Sequence, residues 1–297
     1  MPTLLFMLRL PSWLIRPSLR WLLAALLAGC SWPVTTDRGT DNSITQQRLT
    51  PLLPSDALLL GEQHDAPDHQ RIEREVVQVL AVRHGLAALA LEMAEQGRST
   101  AALPRTASED DVRAALQWNN KNWPWATYGP AVMLAVGAGV PVLGANLTRA
   151  QMRAAMDDPQ LELQLKGPAL KAQQQLIRFG HCELLPEAQI TPMTRIQIAR
   201  DIAMAQTVTR AAVPGKTVLL LAGAGHVDRS LGVPQHLPAG FKGTSIGMQA
   251  ESALSTAEAI SKFDAVWPAR PAPEKDYCAE FKAGRARQKN PYTGRLP

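Results

Sequence analysis

The sequence predicts an α/β protein with three layers, α/β/α, around a mostly parallel sheet, and with a small helical subdomain inserted. Three observations predict this fold. Five short apolar runs recur along the chain, helical patterns separate them, and polar residues and glycines follow the runs. Strands that alternate with helices are joined by right-handed crossovers, so helices cover both faces of the sheet.

The predicted strands are nearly continuous in Ala, Leu, Val or Ile, as expected for strands buried on both faces. They cover residues 56–60, 86–91, 140–143, 217–221 and 244–248. Two longer segments repeat apolar residues at the helical period and are predicted as helices. They are residues 68–83, with Ile72, Val76, Val79 and Leu80, and residues 194–213, with Ile196, Ile198, Ile202 and Val208.

The amino terminus has the pattern of a secretory signal. Three arginines precede an apolar run over residues 21–28, which is too short for a bilayer span of about 20 apolar residues. The run ends in Leu-Ala-Gly-Cys30, which resembles the lipobox of bacterial lipoproteins, whose cysteine thiol receives a diacylglycerol. We therefore predict a signal peptide over residues 1–29 and lipidation of Cys30. The alternative is an ordinary signal peptide with an incidental cysteine.

The predicted mature chain begins with a flexible tether, residues 30–50, because this segment is rich in Ser, Thr, Asp and Gln without periodicity. The domain covers residues 51–268, with a largely helical insert at about 98–190, and a Pro- and charge-rich tail covers 269–297. Ser31 follows the cysteine where some lipoproteins have Asp. By resemblance to such lipoproteins, this favours the outer membrane and its periplasmic face, although the leaflet stays open.

The charge of the mature chain argues against nucleic acid as a partner. The full chain has a formal net charge of +5, and removal of residues 1–29 leaves 28 basic against 26 acidic residues. No run of Lys or Arg forms a stripe that could follow phosphates.

Two cysteines remain besides the one in the lipobox, Cys182 and Cys278. In an oxidising compartment they are candidates for one disulfide, which would tie the C-terminal segment to the domain. The sequence leaves open whether their Cα atoms come within the required distance of roughly 4.4–6.8 Å.

Polar residues follow all five predicted strands. The segments are Gly61-Glu62-Gln63-His64-Asp65, Glu92, Gly144-Ala145-Asn146, Gly223-Ala224-Gly225-His226 and Gln249. The carboxyl ends of parallel strands lie at one edge of a sheet, where ligands bind. A single histidine at a strand end is usually structural, but five segments in register predict a functional site at this edge.

With these segments, the chain resembles the ChaN-like haem-binding lipoproteins, part of a superfamily with the TraB, Tiki and erythromycin-esterase proteins. The similar stretches are LLLGEQHDAPDHQ (58–70), LALEM (89–93), WPWATYGPAVMLA (123–135), VLGANL (142–147), FGHCELLP (179–186), RIQIARDIAMA (195–205) and VLLLAGAGHVDRSLGVPQHL (218–237). They span about 180 residues in the family's order. One departure is Ala224, where the family often has Asn, so one hydrogen bond near the site could be missing.

The resemblance implies haem binding linked to iron acquisition. It also implies that a small helical subdomain helps to form the pocket, that a homodimer encloses paired haems, and that a haem-uptake receptor is a possible partner. No heptad or exposed apolar stripe in the sequence indicates the dimer directly.

Tyr128 is the predicted ligand of the haem iron. A phenolate is a hard anion suited to ferric iron, and tyrosine is a known axial ligand of haem. Trp118, Trp123 and Trp125 lie within the same short stretch, and indoles suit a flat apolar ring. The alternative is that these four side chains form the core of the helical subdomain. The chain's other tyrosines, Tyr277 and Tyr292, lie in the tail.

The remaining histidines receive different interpretations. His181 matches a family signature position and is a candidate site residue by resemblance. His69, at the start of the first long helix, is either near the site or at the surface. His84 lies at the end of that helix, where a cation stabilises the dipole, and His236 is predicted to have no role.

Two rival functions stay open. A hydrolase of the Tiki or erythromycin-esterase type would use Glu62 to activate water, with His64, Glu92 and His226 as metal ligands or acid–base groups. The chain has neither a His-Glu-x-x-His helix nor a Gly-x-Ser-x-Gly turn. The third possibility is a non-catalytic envelope scaffold.

The leading hypothesis is a haem-binding protein, and whether it is also an enzyme stays open. In it Tyr128 coordinates the iron, while the other candidate residues form a polar rim that contacts propionates or a partner group. These residues are Glu62, His64, Glu92, Asn146, His181 and His226.

Overall fold

The computed structural model describes residues 38–250 and 256–289. The predicted signal peptide at 1–29, Cys30 and the first part of the predicted tether lie outside the described residues. Within the described ranges, no helix combines the length and the apolar character that a membrane span requires.

Six strands and nine helices make up the described part of the chain. The strands are β1 (Ala57–Glu62), β2 (Leu86–Glu95), β3 (Val142–Asn146), β4 (Thr217–Gly223), β5 (Gly243–Ala250) and β6 (Ala265–Ala269). The helices are α1 (Arg38–Leu49), α2 (Pro67–Val82), α3 (Glu109–Ala115), α4 (Trp125–Gly137), α5 (Arg149–Met156), α6 (Gly167–Gly180), α7 (Glu187–Ala211), α8 (Ala257–Lys262) and α9 (Tyr277–Lys289).

The strands form one sheet in the order β3-β2-β4-β1-β5-β6, and every neighbouring pair is parallel. The predicted α/β fold class is therefore confirmed, and all five predicted strands are present. The sixth strand, β6, was not predicted. It contains Pro268, and a sheet tolerates proline at an edge position such as this one.

Helices cover both faces of the sheet. Leu58 and Leu60 of β1 face the apolar core that includes α2 and α4. Ala57 and Leu59 point the opposite way, into the core formed with α7. This alternation follows from the period-2 geometry of a strand, and it explains why the run is apolar throughout.

The helical parts differ from the predicted boundaries. Residues 38–49, assigned to a flexible tether, form α1 instead, and Thr45 Oγ1 donates to Glu75 Oε2 of α2 at 2.7 Å. Leu49 is fully buried. Thr45 and Leu49 are buried and dock this otherwise polar helix. The predicted insert at 98–190 is not one subdomain, because β3 divides it into α3–α4 before the strand and α5–α6 after it.

The predicted tail also contains ordered structure. An extended segment, residues 270–276, leads from β6 to α9, and Cys182 and Cys278 form a disulfide with a Cα–Cα distance of 5.5 Å. The bond joins the residues following α6 to the start of α9. We call residues 270–278 the C-terminal strap.

Replacing both Cys182 and Cys278 with serine is expected to lower the free energy of unfolding by roughly 2–4 kcal/mol, because the bond closes a long loop in the unfolded chain. Urea unfolding of the double variant and the unaltered protein measures this difference. Peptide mapping without reduction provides the control. Equal stabilities, or unreduced peptides that carry both cysteines as free thiols, would contradict the assignment.

Candidate functional site

The carboxyl edge of the sheet contains a crevice between β1 and β4. Glu62 and Gly223 end these adjacent strands in register. The chain leaves β1 for α2 on one face, while after β4 it packs Val227 and Val233 against the other face. Connections that diverge to opposite faces open a crevice at the strand ends, the usual place for a ligand in such sheets.

Glu62 is the hydrogen-bond centre of this crevice. Its side chain is buried, and its Oε1 accepts the hydroxyl of Tyr128 at 2.8 Å. The same oxygen lies 2.8 Å from Nδ1 of His64, and Oε2 accepts Gln70 Nε2 at 2.6 Å. Three donors thus hold one carboxylate in place.

Glu92 is a second buried carboxylate. Its Oε2 accepts the backbone N–H of Gly223 at 2.7 Å, and its Oε1 pairs with Arg200 and lies 3.4 Å from Nε2 of His226. Burial opposes the charged form, but His226, Arg200 and His64 outweigh it and hold the pKa of Glu92 well below its usual range. Glu92 is therefore an anion at neutral pH.

His226 is held between two carboxylates. Its Nδ1 lies 2.5 Å from Asp201 Oδ1. Burial lowers the pKa of His226, but Glu92 and Asp201 outweigh burial and raise it to about 9. The pKa of Asp201 rises to about 6, because its burial outweighs the attraction of His226 and Arg200. The imidazole is therefore a buried cation at neutral pH.

Helix α7 contributes residues that the sequence pattern did not single out. Arg200 donates from Nε to Asn146 Oδ1 at 3.0 Å, and Asn146 Nδ2 donates to the backbone oxygen of Glu92 at 2.9 Å. Gln197 Nε2 lies 3.1 Å from Nδ1 of His226. Gln197, Arg200 and Asp201 are spaced i, i+3 and i+4, which places them on one face of the helix. This polar helix face is the sequence feature from which the three residues could have been predicted.

Tyr128 is buried in the apolar core near the carboxyl edge of the sheet. The residue is only 3% exposed, and its ring centroid lies 6.1 Å from that of Trp118 and 6.0 Å from that of Trp123. Burial and the neighbouring Glu62 raise the pKa of the phenol. This environment matches the core role that the sequence left open. The iron-ligand role stays a prediction and requires the hydroxyl to leave Glu62.

His64 lies at the mouth of the crevice. Its side chain is 39% exposed, and its ring packs edge-on against Trp123 at a centroid distance of 4.8 Å. Burial lowers its pKa, but the hydrogen bond to Glu62 and the charge of Glu92 outweigh burial and raise it. A side chain at Gly223 would come within 3.0 Å of His64 Nε2, so glycine leaves room there.

Of the seven predicted site residues, six gather at the crevice and one contacts a different region. Glu62, His64, Glu92, Asn146 and His226 form one hydrogen-bonded group with Tyr128 below it. His181 follows α6, bonds to Ile177 O at 2.8 Å, and packs against Phe281 of α9. Among the described residues, no group of three or more His, Cys, Asp or Glu side chains is arranged to hold a metal ion.

A cavity of about 920 Å³ lies beside this group, between the strand ends and the C-terminal strap. Its polar lining includes Gln63, Gln249 and His69, whose pKa burial lowers. Its apolar lining consists of Ala224, Met248, Ala250, Pro271, Ala272 and Pro273. The strap supplies Arg270, Glu274, Lys275, Asp276 and Tyr277.

A family model described as haem-binding uptake, Tiki superfamily, ChaN matches residues 49–237 of the chain. The chain belongs to the ChaN family. The match includes every strand-end residue from Glu62 to His226, and it stops before β5, β6 and the strap. The ChaN family resemblance seen in the sequence motifs is therefore confirmed.

A solved structure shares this fold. The structure of ChaN of Campylobacter jejuni, described as cofacial haem binding, is 23% identical with a TM-score of 0.63 and covers 76% of this chain and 92% of that chain. A mutant of the erythromycin esterase EreC is 15% identical with a TM-score of 0.42, covering 68% of this chain and 72% of that chain. Among proteins of curated function, none matches this chain.

Proposed function

We propose that this protein binds haem at the carboxyl edge of its sheet and takes part in haem or iron uptake in the cell envelope. The observation that carries the proposal is the family match, because it covers the whole hydrogen-bonded group from Glu62 to His226. The Campylobacter jejuni relative is described as binding haem cofacially, and a homodimer with paired haems is part of the proposal.

The edge cavity fits the chemistry of haem. Its volume of about 920 Å³ lies within the usual range of ligand pockets, roughly 300–1,000 Å³. Met248, Ala250 and Pro271 offer apolar contacts for a porphyrin, while phenol and imidazole groups are known ligands of haem iron. Bound haem would supply a ferric iron, and Arg270 and Lys275 of the strap would be available to hold its propionates.

The buried ion group beside the cavity would serve to keep this edge rigid. His226, Arg200 and Asn146 fix Glu92, and Gly223 N–H fixes it from the adjacent strand. Paired charges beside a ligand site help to keep its shape, because Glu92, Arg200 and His226 already have partners there.

The hydrolase alternative gains no specific support from this arrangement. It requires Glu62 to activate water, yet the two oxygens of Glu62 bond to Tyr128, His64 and Gln70. A screen against esters and peptides tests it, and activity that disappears in Glu62→Gln would favour it.

Titration of the purified protein with haemin tests the proposed function. We expect a saturable shift of the Soret absorbance with one haem per chain, and association of chains on haem binding in sedimentation. Serum albumin and a buffer blank serve as positive and negative controls. Absence of any saturable Soret shift would contradict the proposal.

The envelope location is a separate part of the proposal and rests on Cys30 in its lipobox-like sequence. In a bacterial expression host, we expect the full chain to lose residues 1–29 and to enter the detergent phase with a diacylglycerol on Cys30. Mass spectrometry of the amino-terminal peptide measures this, and Cys30→Ser is expected to abolish both cleavage and lipid. An unmodified Cys30 in a membrane-free protein would contradict the anchor.

A further inference from the structure

We propose that the C-terminal strap is a lid on the edge cavity and that reduction of the Cys182–Cys278 disulfide opens it. The inference rests on the proposed function for its ligand, but the opening of the lid can be measured without any ligand. It concerns a segment outside the family match, which ends at residue 237. The family match therefore does not account for this segment.

The strap forms one wall of the edge cavity. Every residue from Arg270 to Tyr277 lines the cavity, while Ala224, Met248 and Gln249 belong to the opposite wall at the strand ends. A flat ligand in this cavity would lie between the two walls. Movement of the strap therefore changes the width of the cavity and the access of such a ligand.

The strap has little structure of its own. Residues 270–276 form neither helix nor strand, and all of them except Ala272 are exposed. Pro271 and Pro273 have no backbone N–H to donate. Segments with little buried surface and few backbone hydrogen bonds open at low cost. The position of the strap therefore depends on its two ends.

The first end is fixed by Asp68 at the start of α2. The backbone N–H of Arg270 donates to Asp68 Oδ2 at 2.7 Å, and Arg270 Nε donates to Oδ1 at 2.9 Å. Burial raises the pKa of Asp68, but Arg71 and Arg270 outweigh burial and lower it to about 2. Asp68 is therefore an anion at neutral pH, and this end stays attached when the other end is released.

The second end is fixed mainly by the disulfide. The hydroxyl of Tyr277 also bonds to Asp65 at 2.9 Å, and the ring of Phe281 packs edge-on against His181 at a centroid distance of 5.9 Å. A single hydrogen bond shifts the equilibrium between a closed and an open strap by only about 2- to 10-fold. The covalent bond at Cys278 prevents separation altogether.

The disulfide is within reach of a reductant. Cys182 and Cys278 are half-buried, and their neighbours Glu183 and Ala279 are exposed. Exposed disulfides are reduced more easily than buried ones and include those with regulatory roles. The reductant that this chemistry requires is a protein dithiol.

Reduction proceeds by thiol–disulfide exchange. A thiolate of the dithiol attacks one sulfur of the bond, and the other cysteine leaves as a thiolate. The second thiol of the reductant then attacks the mixed disulfide and releases the remaining cysteine. Two electrons and two protons pass to Cys182 and Cys278, which become thiols, and the reductant becomes a disulfide.

Two chemically modified samples of the reduced chain test the inference. In one, a bifunctional thiol reagent, dibromobimane, bridges Cys182 and Cys278 again. In the other, N-methylmaleimide blocks the two cysteines separately. Both samples carry Cys30→Ser, so that only these two cysteines react, and the reductant is removed before haemin is added. The samples therefore differ in the link between the cysteines, and circular dichroism shows whether each is folded.

Hydrogen exchange measures the opening without a ligand. We expect the backbone amides of residues 274–281 to exchange about 10-fold faster in the separately blocked sample than in the bridged one. The amides of β1 and β4 should exchange equally in both samples. Equal exchange of residues 274–281 in the two samples would overturn the inference.

Transfer of bound haemin to excess apomyoglobin measures the effect on the ligand. We expect release from the separately blocked sample to be about 10-fold faster or more, and release from the bridged sample to match that of the unmodified disulfide form. The variant with both Cys182→Ser and Cys278→Ser should release haemin at the faster rate. Equal release rates from the bridged and the separately blocked samples would overturn the lid.

The two proposals fail in different ways. If the disulfide form binds no haemin, the proposed function fails, and the exchange of residues 274–281 still decides whether the strap is released by reduction. If haemin binds but neither exchange nor release depends on the link between the cysteines, the inference is overturned while the proposed function stands.

Discussion

Replacing Arg200 with methionine is expected to lower the free energy of unfolding by about 3 kcal/mol. Glu92 is buried and has Arg200 and His226 as its cationic partners. Removing one partner of a buried ion pair leaves a charge without compensation and typically costs about 3–5 kcal/mol. Because His226 remains beside Glu92, the lower end of that range applies.

Arg178→Met is the matched control for this experiment. Arg178 pairs with Glu187, whose side chain is 79% exposed, and exposed pairs contribute only about 0–1 kcal/mol. The free energies of unfolding of the two variants, measured in urea, should therefore differ by more than about 2 kcal/mol. Equal losses of stability would mean that the ion group at the strand ends is no more important than a surface pair.

Raising the pH from about 7 to about 9.5 is expected to lower the free energy of unfolding by about 2 kcal/mol through His226. The pKa of His226 is raised from 6.5 to about 9 in the folded protein. A histidine with a raised pKa stabilises the fold fully below its unfolded pKa, and this contribution is lost as the pH rises through the folded pKa. The facing ionisable groups are Glu92, Asp201 and His64.

The pH dependence of the free energy of unfolding should disappear in His226→Gln and remain in His236→Gln. Burial lowers the pKa of His236, so that residue is already neutral at the start of the interval. Urea unfolding at several pH values measures the slope for each protein. A slope that survives in His226→Gln would show that another group titrates in this range.

The sheet could be predicted from sequence because its strands are buried on both faces and appear as uninterrupted apolar runs. The edge strand β6 was not predicted because Pro268 lies within it and because its apolar run covers only Ala265–Trp267. Helix α1 could not be predicted because its composition is polar. Contacts such as that of Thr45 with Glu75 show how it packs on the domain.

The candidate site was partly predictable for a similar reason. Polar residues at the ends of parallel strands meet at one edge of the sheet. The sequence pattern therefore correctly predicted that Glu62, Glu92 and His226 lie close together. Arg200 and Asp201 lie on a helix that crosses below the edge, and sequence spacing alone does not show which strand ends a helix face meets. The burial of Tyr128 could not be predicted either, because a tyrosine among tryptophans is equally compatible with an iron ligand and with a buried core residue.

The structure of the protein crystallised with haemin tests the central claim most directly. We predict one haem per chain in the cavity between the strand ends and residues 270–278, next to Ala224 and Met248. A haem bound elsewhere on the chain, or an edge cavity that stays empty in a haem-loaded protein, would contradict this account.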